Sequence, residues 1–178
     1  SHNVLAMLPG GKRADECVIY TAHWDHFGIG PKINGDSIYN GGDDNGYPLA
    51  CLLETAKAFS KLNFKPKRTV IFMAITAEEE GLLGSEYYAR HPVFPLNKTI
   101  ADINYELFIP MGKMIDVTIT GFGQSDLDDE VKALAKAQGR YVVEEPHPEN
   151  GMYFRSDHFS FAKHGVPSLF CKGWTESA

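Results

Sequence analysis

An apolar segment that runs into three consecutive carboxylates constrains the fold of this chain more than any other feature. Residues 69–75 are an unbroken apolar, β-rich run of the kind that forms a buried central strand. Glu78, Glu79 and Glu80 follow after two intervening residues. Carboxylates crowded at the end of a buried strand repel one another and lose hydration, so a bound cation or proton chemistry would account for them. A solvated turn that opens a helix, where carboxylates favour the helix dipole, is the alternative.

The composition is that of one globular domain and argues against several kinds of partner. The chain has 178 residues, of which 43% are hydrophobic and 22% are charged, so it can bury a substantial core. Its net charge of -6 and its lack of Lys/Arg clusters argue against nucleic acid. No run of about 18 apolar residues is present, so no membrane-spanning helix is expected. Cys17, Cys51 and Cys171 form no Cys-x-x-Cys pair and are predicted to be buried, inert thiols.

Segments with strand-like and helix-like patterns alternate along the chain. The pattern predicts strands over residues 3–8, 17–21, 69–75, 100–107, 116–120, 141–144 and 166–170. It predicts helices over residues 47–62 and 82–90, a third from Ser125 or Asp126 to Gly139, and a short one ending near Gly165. The glycine-rich residues 28–46 are predicted to form a long loop. We therefore expect one domain over residues 1–178, folded as a three-layer α/β sandwich around a central mixed, mostly parallel sheet.

Polar side chains follow several of the predicted strands at the point where each strand ends. Ligands of such sheets bind beyond the carboxyl ends of the strands. The side chains expected to gather along that one edge are His23, Asp25, Glu78, Glu79, Glu106, Asp157 and His158.

His23 and Asp25 stand two residues apart at the end of a predicted strand. A metal-bound imidazole usually donates its second N–H to a carboxylate, which fixes its tautomer and orientation. Asp25 is placed to do this for His23, although a surface His-x-Asp pair is a common alternative.

Asp43 and Asp44 lie in a glycine-rich acidic turn just before a predicted helix. Such a turn often serves only to cap the helix. A carboxylate at this place could instead bridge two cations, because each of its oxygens can bind one metal.

Glu78 and Glu79 are adjacent and can therefore take different roles. One can be a metal ligand and the other a general base that contacts the attacking water, with Glu80 left in solvent. His158 supplies a second candidate imidazole, although a lone histidine is more often structural. Two histidines and three carboxylates suit the nitrogen and oxygen preferences of zinc.

Four motifs in a fixed order give the sequence a specific resemblance. They are residues 22–25 (Ala-His-Trp-Asp), 42–45 (Gly-Asp-Asp-Asn), 77–85 (Ala-Glu-Glu-Glu-Gly-Leu-Leu-Gly-Ser) and 156–158 (Ser-Asp-His). This order resembles that of the co-catalytic zinc aminopeptidases, a family that includes glutamate carboxypeptidase and the glutaminyl cyclases. The similarity extends from about Asn3 to Phe170.

The resemblance implies two zinc ions and a role for each polar residue at the site. His23 would bind one ion and His158 the other, and Asp44 would bridge them. Glu79 would be a ligand of the ion at His158, and Glu106 of the ion at His23. Glu78 would be the general base, and Asp25 would orient His23.

The sequence departs from the family pattern at two places. The position of Glu106 is usually an aspartate, so a longer side chain must reach the ion, with Asp102 as the other candidate ligand. Residues 46–48, Gly-Tyr-Pro, replace the small residues that usually enter the following helix.

The resemblance implies an exopeptidase that removes N-terminal residues from peptide substrates through a metal-activated water. Three alternatives remain: a single-zinc acyltransferase of the glutaminyl-cyclase type, a carboxypeptidase with Arg155 or Lys172 receiving the substrate carboxylate, and a metal-poor domain without catalysis. The resemblance also implies a periplasmic or secreted location. We expect the sequence to be a piece of a longer chain.

Overall fold

The computed structural model describes residues 1–107 and 112–173 of the chain. The strands are β1 (Val4–Leu8), β2 (Arg13–His23), β3 (Gly28–Ile33), β4 (Asp36–Tyr39), β5 (Arg68–Ile75), β6 (Thr99–Asn104), β7 (Asp116–Thr120), β8 (Tyr141–Glu144) and β9 (Ser168–Lys172). The helices are α1 (Tyr47–Ser60), α2 (Leu83–Arg90), α3 (Leu127–Ala137) and α4 (His158–Ala162). Short helical turns cover Gly42–Gly46, Leu96–Lys98, Pro148–Asn150 and Met152–Phe154.

Seven strands form one sheet in the order β1-β5-β2-β6-β9-β7-β8. Strands β5, β2, β6 and β9 are parallel neighbours, and β7 is parallel to β8. Two pairs of strands in the described part of this sheet are antiparallel: β1 with β5, and β7 with β9. The structure confirms the predicted mixed, mostly parallel sheet.

Helices cover both faces of the sheet because consecutive residues of its buried strands point to opposite sides. In β5, Val70 and Phe72 pack with Leu52 of α1. The residues of β5 that point to the other side pack with Tyr88 of α2 and Phe161 of α4; they are Ile71, Met73 and Ile75. In β9, Leu169 packs against α3. The next residue, Phe170, points to the other face and contacts His158 of α4. Helices α1 and α3 therefore lie on one face, and α2 and α4 lie on the other, which confirms three layers.

The structure differs from the predicted elements at several places, and strand β2 begins at Arg13, four residues before the predicted start. The predicted loop over residues 28–46 contains a two-stranded hairpin, β3–β4, with Asn34 and Gly35 at positive φ in its turn. Asn-Gly is the preferred two-residue hairpin turn, so the sequence did carry this signal. Strand β6 ends at Asn104, three residues before the predicted end. Strand β9 begins after Pro167, because proline cannot donate a ladder hydrogen bond.

The sequence argued against a membrane-spanning helix and against a cysteine metal site, and the described part of the chain bears on both. No helix within residues 1–107 and 112–173 has the length and apolar character needed to cross a bilayer. Cys17, Cys51 and Cys171 are unpaired, and only Cys17 is fully buried as a residue. Burial raises the pKa of Cys17 to about 12 and that of Cys171 to about 11, as expected for inert thiols.

Candidate metal and catalytic site

The carboxyl ends of three adjacent parallel strands bring the predicted residues together. Strand β2 lies between β5 and β6, with His23 opposite Ile75 and Thr21 opposite Asn104. His23 ends β2, the glutamate run follows β5, and Glu106 follows β6. The predicted gathering of these side chains at one edge is confirmed by their distances.

His23 is the centre of the first cluster. Its ring is fully buried, and Nε2 lies 3.1 Å from Asp44 Oδ1, 3.4 Å from Glu106 Oε1 and 3.8 Å from Glu78 Oε2. Neither His23 Nε2 nor Asp44 Oδ1 has a hydrogen-bond partner of acceptable geometry. A buried imidazole nitrogen that faces carboxylates without bonding to them is suited to a cation placed between the groups.

Asp25 supports the site differently from the expectation. His23 Nδ1 lies 3.1 Å from the carbonyl oxygen of Asp25 and 3.7 Å from its carboxylate. The carboxylate instead accepts hydrogen bonds from the main-chain N–H groups of Glu78 and Glu79, at 3.1 and 3.2 Å. Asp25 therefore orients the imidazole through its main chain and fixes the glutamate turn through its side chain.

Glu106, not Asp102, reaches the cluster. Its Oε2 accepts a hydrogen bond of 2.8 Å from the Ser156 hydroxyl, which in turn accepts one of 2.6 Å from Asn104 Nδ2. These bonds hold Glu106 so that its other oxygen faces His23. Asp102 lies deeper in β6, is fully buried and accepts a hydrogen bond of 3.0 Å from Thr21. Sequence analysis missed Ser156, although it stands in the Ser-Asp-His motif.

A second cluster lies beside the first and contains a histidine that sequence analysis did not select. Ligand atoms of His26, Asp44 and Glu79 all lie within 4.8 Å of one another, as do those of His23, Glu78 and Glu106. His26 Nδ1 is 2.5 Å from Glu79 Oε1. Asp44 faces His23 in the first cluster and belongs to the second, the position expected of a bridging carboxylate. The signal for His26 was its place directly after the His-Trp-Asp motif.

Glu78 lies at the inner end of the glutamate run. Burial raises its pKa to about 8, the positive charge of His23 opposes the rise, and the carboxylates of Asp157, Glu106 and Glu79 add to it. Glu80 is exposed. The three glutamates thus occupy three different environments, as the sequence predicted.

His158 lies in neither cluster of the described residues. It is fully buried at the start of α4, with its ring centre 5.0 Å from that of Tyr153 and 5.4 Å from that of Phe170. Burial lowers its pKa to about 3. Two aromatic rings therefore flank this imidazole, and its two ring nitrogens are buried without a hydrogen-bond partner.

The electrostatics of the first cluster favour a cation. Burial lowers the pKa of His23, but the carboxylates of Asp44, Glu106 and Glu78 outweigh it and raise the pKa to about 11. A proton is thus held where several negative groups converge, and a metal ion would satisfy the same groups. The donor set of imidazole and carboxylates matches zinc.

A small cavity of about 110 Å³ opens onto both clusters. Its lining includes the carboxylates of both clusters together with Met152, Arg155 and Phe170; the carboxylates are Asp44, Glu78, Glu79 and Glu106. A substrate group that enters this space meets these carboxylates. The arrangement suits hydrolysis of a polarised carbonyl, because a cation site and a candidate base border the same cavity.

Comparison with known proteins finds relatives of this chain. The sequence pattern described as peptidase family M28 matches residues 3–177. A probable leucine aminopeptidase 2 of Aspergillus oryzae is 30% identical over 173 residues, which are 94% of this chain and 32% of that protein. Leupeptin-inactivating enzyme 1 of Streptomyces exfoliatus is 30% identical over 169 residues, 93% of this chain and 34% of that protein. The chain thus spans about a third of the length of these relatives.

Solved structures share the fold. The Legionella pneumophila LapA aminopeptidase matches with a TM-score of 0.75 at 18% identity, over 97% of this chain and 45% of that chain. BSAP, a zinc aminopeptidase from Bacillus subtilis, matches with a TM-score of 0.71 at 21% identity, over 96% and 39%. A Porphyromonas gingivalis glutaminyl cyclase matches with a TM-score of 0.70 at 19% identity, over 99% and 64%.

Proposed function

The chain belongs to peptidase family M28, and on that premise we propose that it is a zinc-dependent aminopeptidase that hydrolyses N-terminal residues from peptides. The observation that carries the proposal is the buried Nε2 of His23, which has no hydrogen-bond partner and faces three carboxylates. The names of the relatives support the peptidase activity, and that of BSAP supports zinc.

The first zinc ion would be held by His23, Asp44 and Glu106. His23 offers Nε2 because its Nδ1 faces the carbonyl of Asp25, which sets the tautomer required of a metal ligand. Ser156 leaves one oxygen of Glu106 available to the ion. The extra methylene of Glu106 is accommodated because the chain leaves β6 at Asn104, before this residue.

A second ion would lie between Asp44 and Glu79. His26 is the imidazole nearest to these carboxylates among the described residues, and it belongs to the same cluster. His158 was expected to serve here; it lies in neither cluster of the described residues, but both of its ring nitrogens are buried without a hydrogen-bond partner, so its role as a ligand stays a prediction.

The residues of the site divide the hydrolytic work between them. Bound zinc would supply a water of lowered pKa and polarise the scissile carbonyl. Glu78 borders the same cavity, so it would accept the proton of the attacking water and pass it to the leaving amine. Its pKa of about 8 reflects burial and neighbouring carboxylates, and a bound cation would lower that pKa and keep Glu78 ionised.

Release of the N-terminal residue from a peptide tests this function. With zinc added, we expect the chain to release the first residue of an unblocked peptide, detected by mass spectrometry. A chelator should stop the release, and an N-acetylated peptide should remain intact because its amine is blocked. Release of the last residue would indicate a carboxypeptidase. Loss of ammonia from a Gln-initiated peptide would indicate a glutaminyl cyclase.

The pH dependence of stability provides a test of zinc binding that needs no substrate. The pKa values of His23 and Glu78 in the folded chain, about 11 and about 8, exceed the ordinary values of 6.5 and 4.5 that these groups have in an unfolded chain. The folded chain therefore binds more protons than the unfolded chain between pH 6.5 and 8, and its stability without metal should fall as the pH rises through that window. Zinc competes with those protons, so its stabilising effect should grow over the same window. Thermal unfolding with and without zinc at pH 6.5 and 8 measures both effects. An equal zinc-induced shift at the two values would contradict the proposed ligands.

We also propose a periplasmic or secreted location. The support is the family resemblance, and fractionation of the source cells with an antibody to the chain tests it.

A further inference from the structure

Asp102 on β6 is a carboxyl group that the proposed hydrolysis does not use. Its side chain is fully buried, and its Oδ2 has no hydrogen-bond partner. Among the described residues, no lysine, arginine or histidine forms an ion pair with it. A buried carboxylate without a counter-ion costs free energy, so the surroundings of Asp102 favour its neutral, protonated form.

A continuous network of side chains joins Asp102 to Glu106. Asp102 Oδ1 lies 3.0 Å from the hydroxyl of Thr21, which lies 2.9 Å from Asn104 Oδ1. Asn104 Nδ2 lies 2.6 Å from the hydroxyl of Ser156, which lies 2.8 Å from Glu106 Oε2. All five side chains are buried, so bulk water does not compete for these contacts.

The protons of this network can be assigned from its end at the metal site. Glu106 is a proposed zinc ligand, so it is ionised and can only accept, which uses the single proton of the Ser156 hydroxyl. Ser156 must then accept a proton from its other neighbour, and the amide nitrogen of Asn104 faces it. The amide oxygen of Asn104 faces Thr21 and uses the only proton of that hydroxyl.

The remaining contact, between Thr21 and Asp102, must therefore be donated by Asp102. On distance alone the Thr21 hydroxyl can donate to Asp102 or to Asn104, but it has only one proton. An ionised Asp102 that took this proton would leave two oxygens, Thr21 Oγ1 and Asn104 Oδ1, 2.9 Å apart with no proton between them. Burial raises the pKa of Asp102 well above its usual range, the hydrogen bond with Thr21 opposes the rise, and the carboxylate of Asp157 adds to it.

We propose that Asp102 is a neutral carboxylic acid and the first donor of a hydrogen-bond network that positions Glu106 at the zinc site. In this network Asp102 donates to Thr21, Thr21 to Asn104, Asn104 to Ser156, and Ser156 to Glu106. Successive hydrogen bonds of one direction strengthen one another, and groups that orient a ligand contribute to metal affinity. The inference rests on the proposed zinc site, because the direction of the network follows from Glu106 as an ionised ligand.

Infrared difference spectroscopy tests the proton on Asp102. The spectrum of the wild-type chain minus that of Asp102→Asn should contain the carbonyl band of a protonated carboxyl group at pH 8, with and without zinc. The subtraction separates this group from Asp157 and Glu78, whose pKa values are also raised. Thr21→Val should shift the band, because the acid loses its acceptor, and Thr21→Ser should restore its position.

Zinc titration with a competing chelator tests the positioning role. Asp102→Asn should keep the wild-type affinity, because the amide N–H can replace the acid as the donor to Thr21. Thr21→Val should lower the affinity by about tenfold, the lower end of the range for groups that orient a ligand, since the amide of Asn104 loses its donor. Thr21→Ser should recover the affinity. Thr118→Val, which removes a buried hydroxyl outside the network, is the matched control.

Several results would overturn the proposal. They are an infrared difference that shows an ionised carboxylate at Asp102, an unchanged zinc affinity in Thr21→Val, or a loss that Thr21→Ser does not recover. If Thr21→Val does not fold, the infrared difference for Asp102→Asn still decides the protonation. A wild-type chain that binds no zinc would refute the proposed function and, with it, the positioning role. The infrared band of the metal-free chain would then show by itself whether Asp102 is neutral.

Discussion

Replacement of Glu78 by glutamine is expected to lower kcat by about 10²- to 10⁴-fold, the usual contribution of a general base, while zinc remains bound. The amide is nearly isosteric with the carboxylate but cannot accept the proton of the attacking water. Zinc should remain because His23 Nε2 is closer to Asp44 and Glu106 than to Glu78. Metal content by mass spectrometry and turnover of an aminoacyl-anilide measure the two effects on one sample.

Glu80→Gln is the matched control for this variant. It makes the same chemical change two residues away at an exposed side chain, so turnover and zinc content should stay at the wild-type level. Wild-type turnover by Glu78→Gln would remove Glu78 from the role of base. Loss of zinc from Glu78→Gln would make Glu78 a ligand instead.

Asp44→Asn is expected to remove zinc and, with it, turnover. Asp44 faces His23 at 3.1 Å and also belongs to the cluster of His26 and Glu79, so one substitution weakens both proposed metal positions. Residues that only orient a ligand contribute about 10- to 100-fold to metal affinity, so loss of a shared ligand should exceed that range. Zinc titration with a competing chelator measures the affinity.

Asp43→Asn is the control, because Asp43 is the exposed neighbour in the same turn. It should retain wild-type zinc affinity and turnover. Loss of zinc from the Asp43 variant, with retention in the Asp44 variant, would exchange their roles. Loss of only one ion from Asp44→Asn would contradict the bridging position.

The sheet and the first cluster could be predicted because the relevant patterns are local. The apolar run over residues 69–75 indicates a buried strand whatever its position in the sheet. Parallel strands then place their carboxyl ends on one edge. Those two facts were enough to bring His23, the glutamate run and Glu106 together. The spacing of the three glutamates also predicted that only one of them would be exposed.

The partners of individual side chains could not be predicted, because they depend on which main-chain groups face each side chain after folding. The Asp25 carboxylate could have bonded His23, but the amides of Glu78 and Glu79 lie closer to it. His158 ends a polar motif in the sequence, and in the structure its ring packs against Tyr153 and Phe170, which the sequence did not indicate. His26 and Glu79 are far apart in sequence, and only the fold brings them together.

The most direct test of the zinc centre is an anomalous difference map recorded at the zinc edge from zinc-soaked crystals of the chain. The proposed site predicts a peak about 2.0–2.2 Å from His23 Nε2 and from carboxylate oxygens of Asp44 and Glu106, the usual distances for zinc with nitrogen and oxygen ligands. A map with no peak beside His23, or with zinc bound by His158 instead, would contradict it.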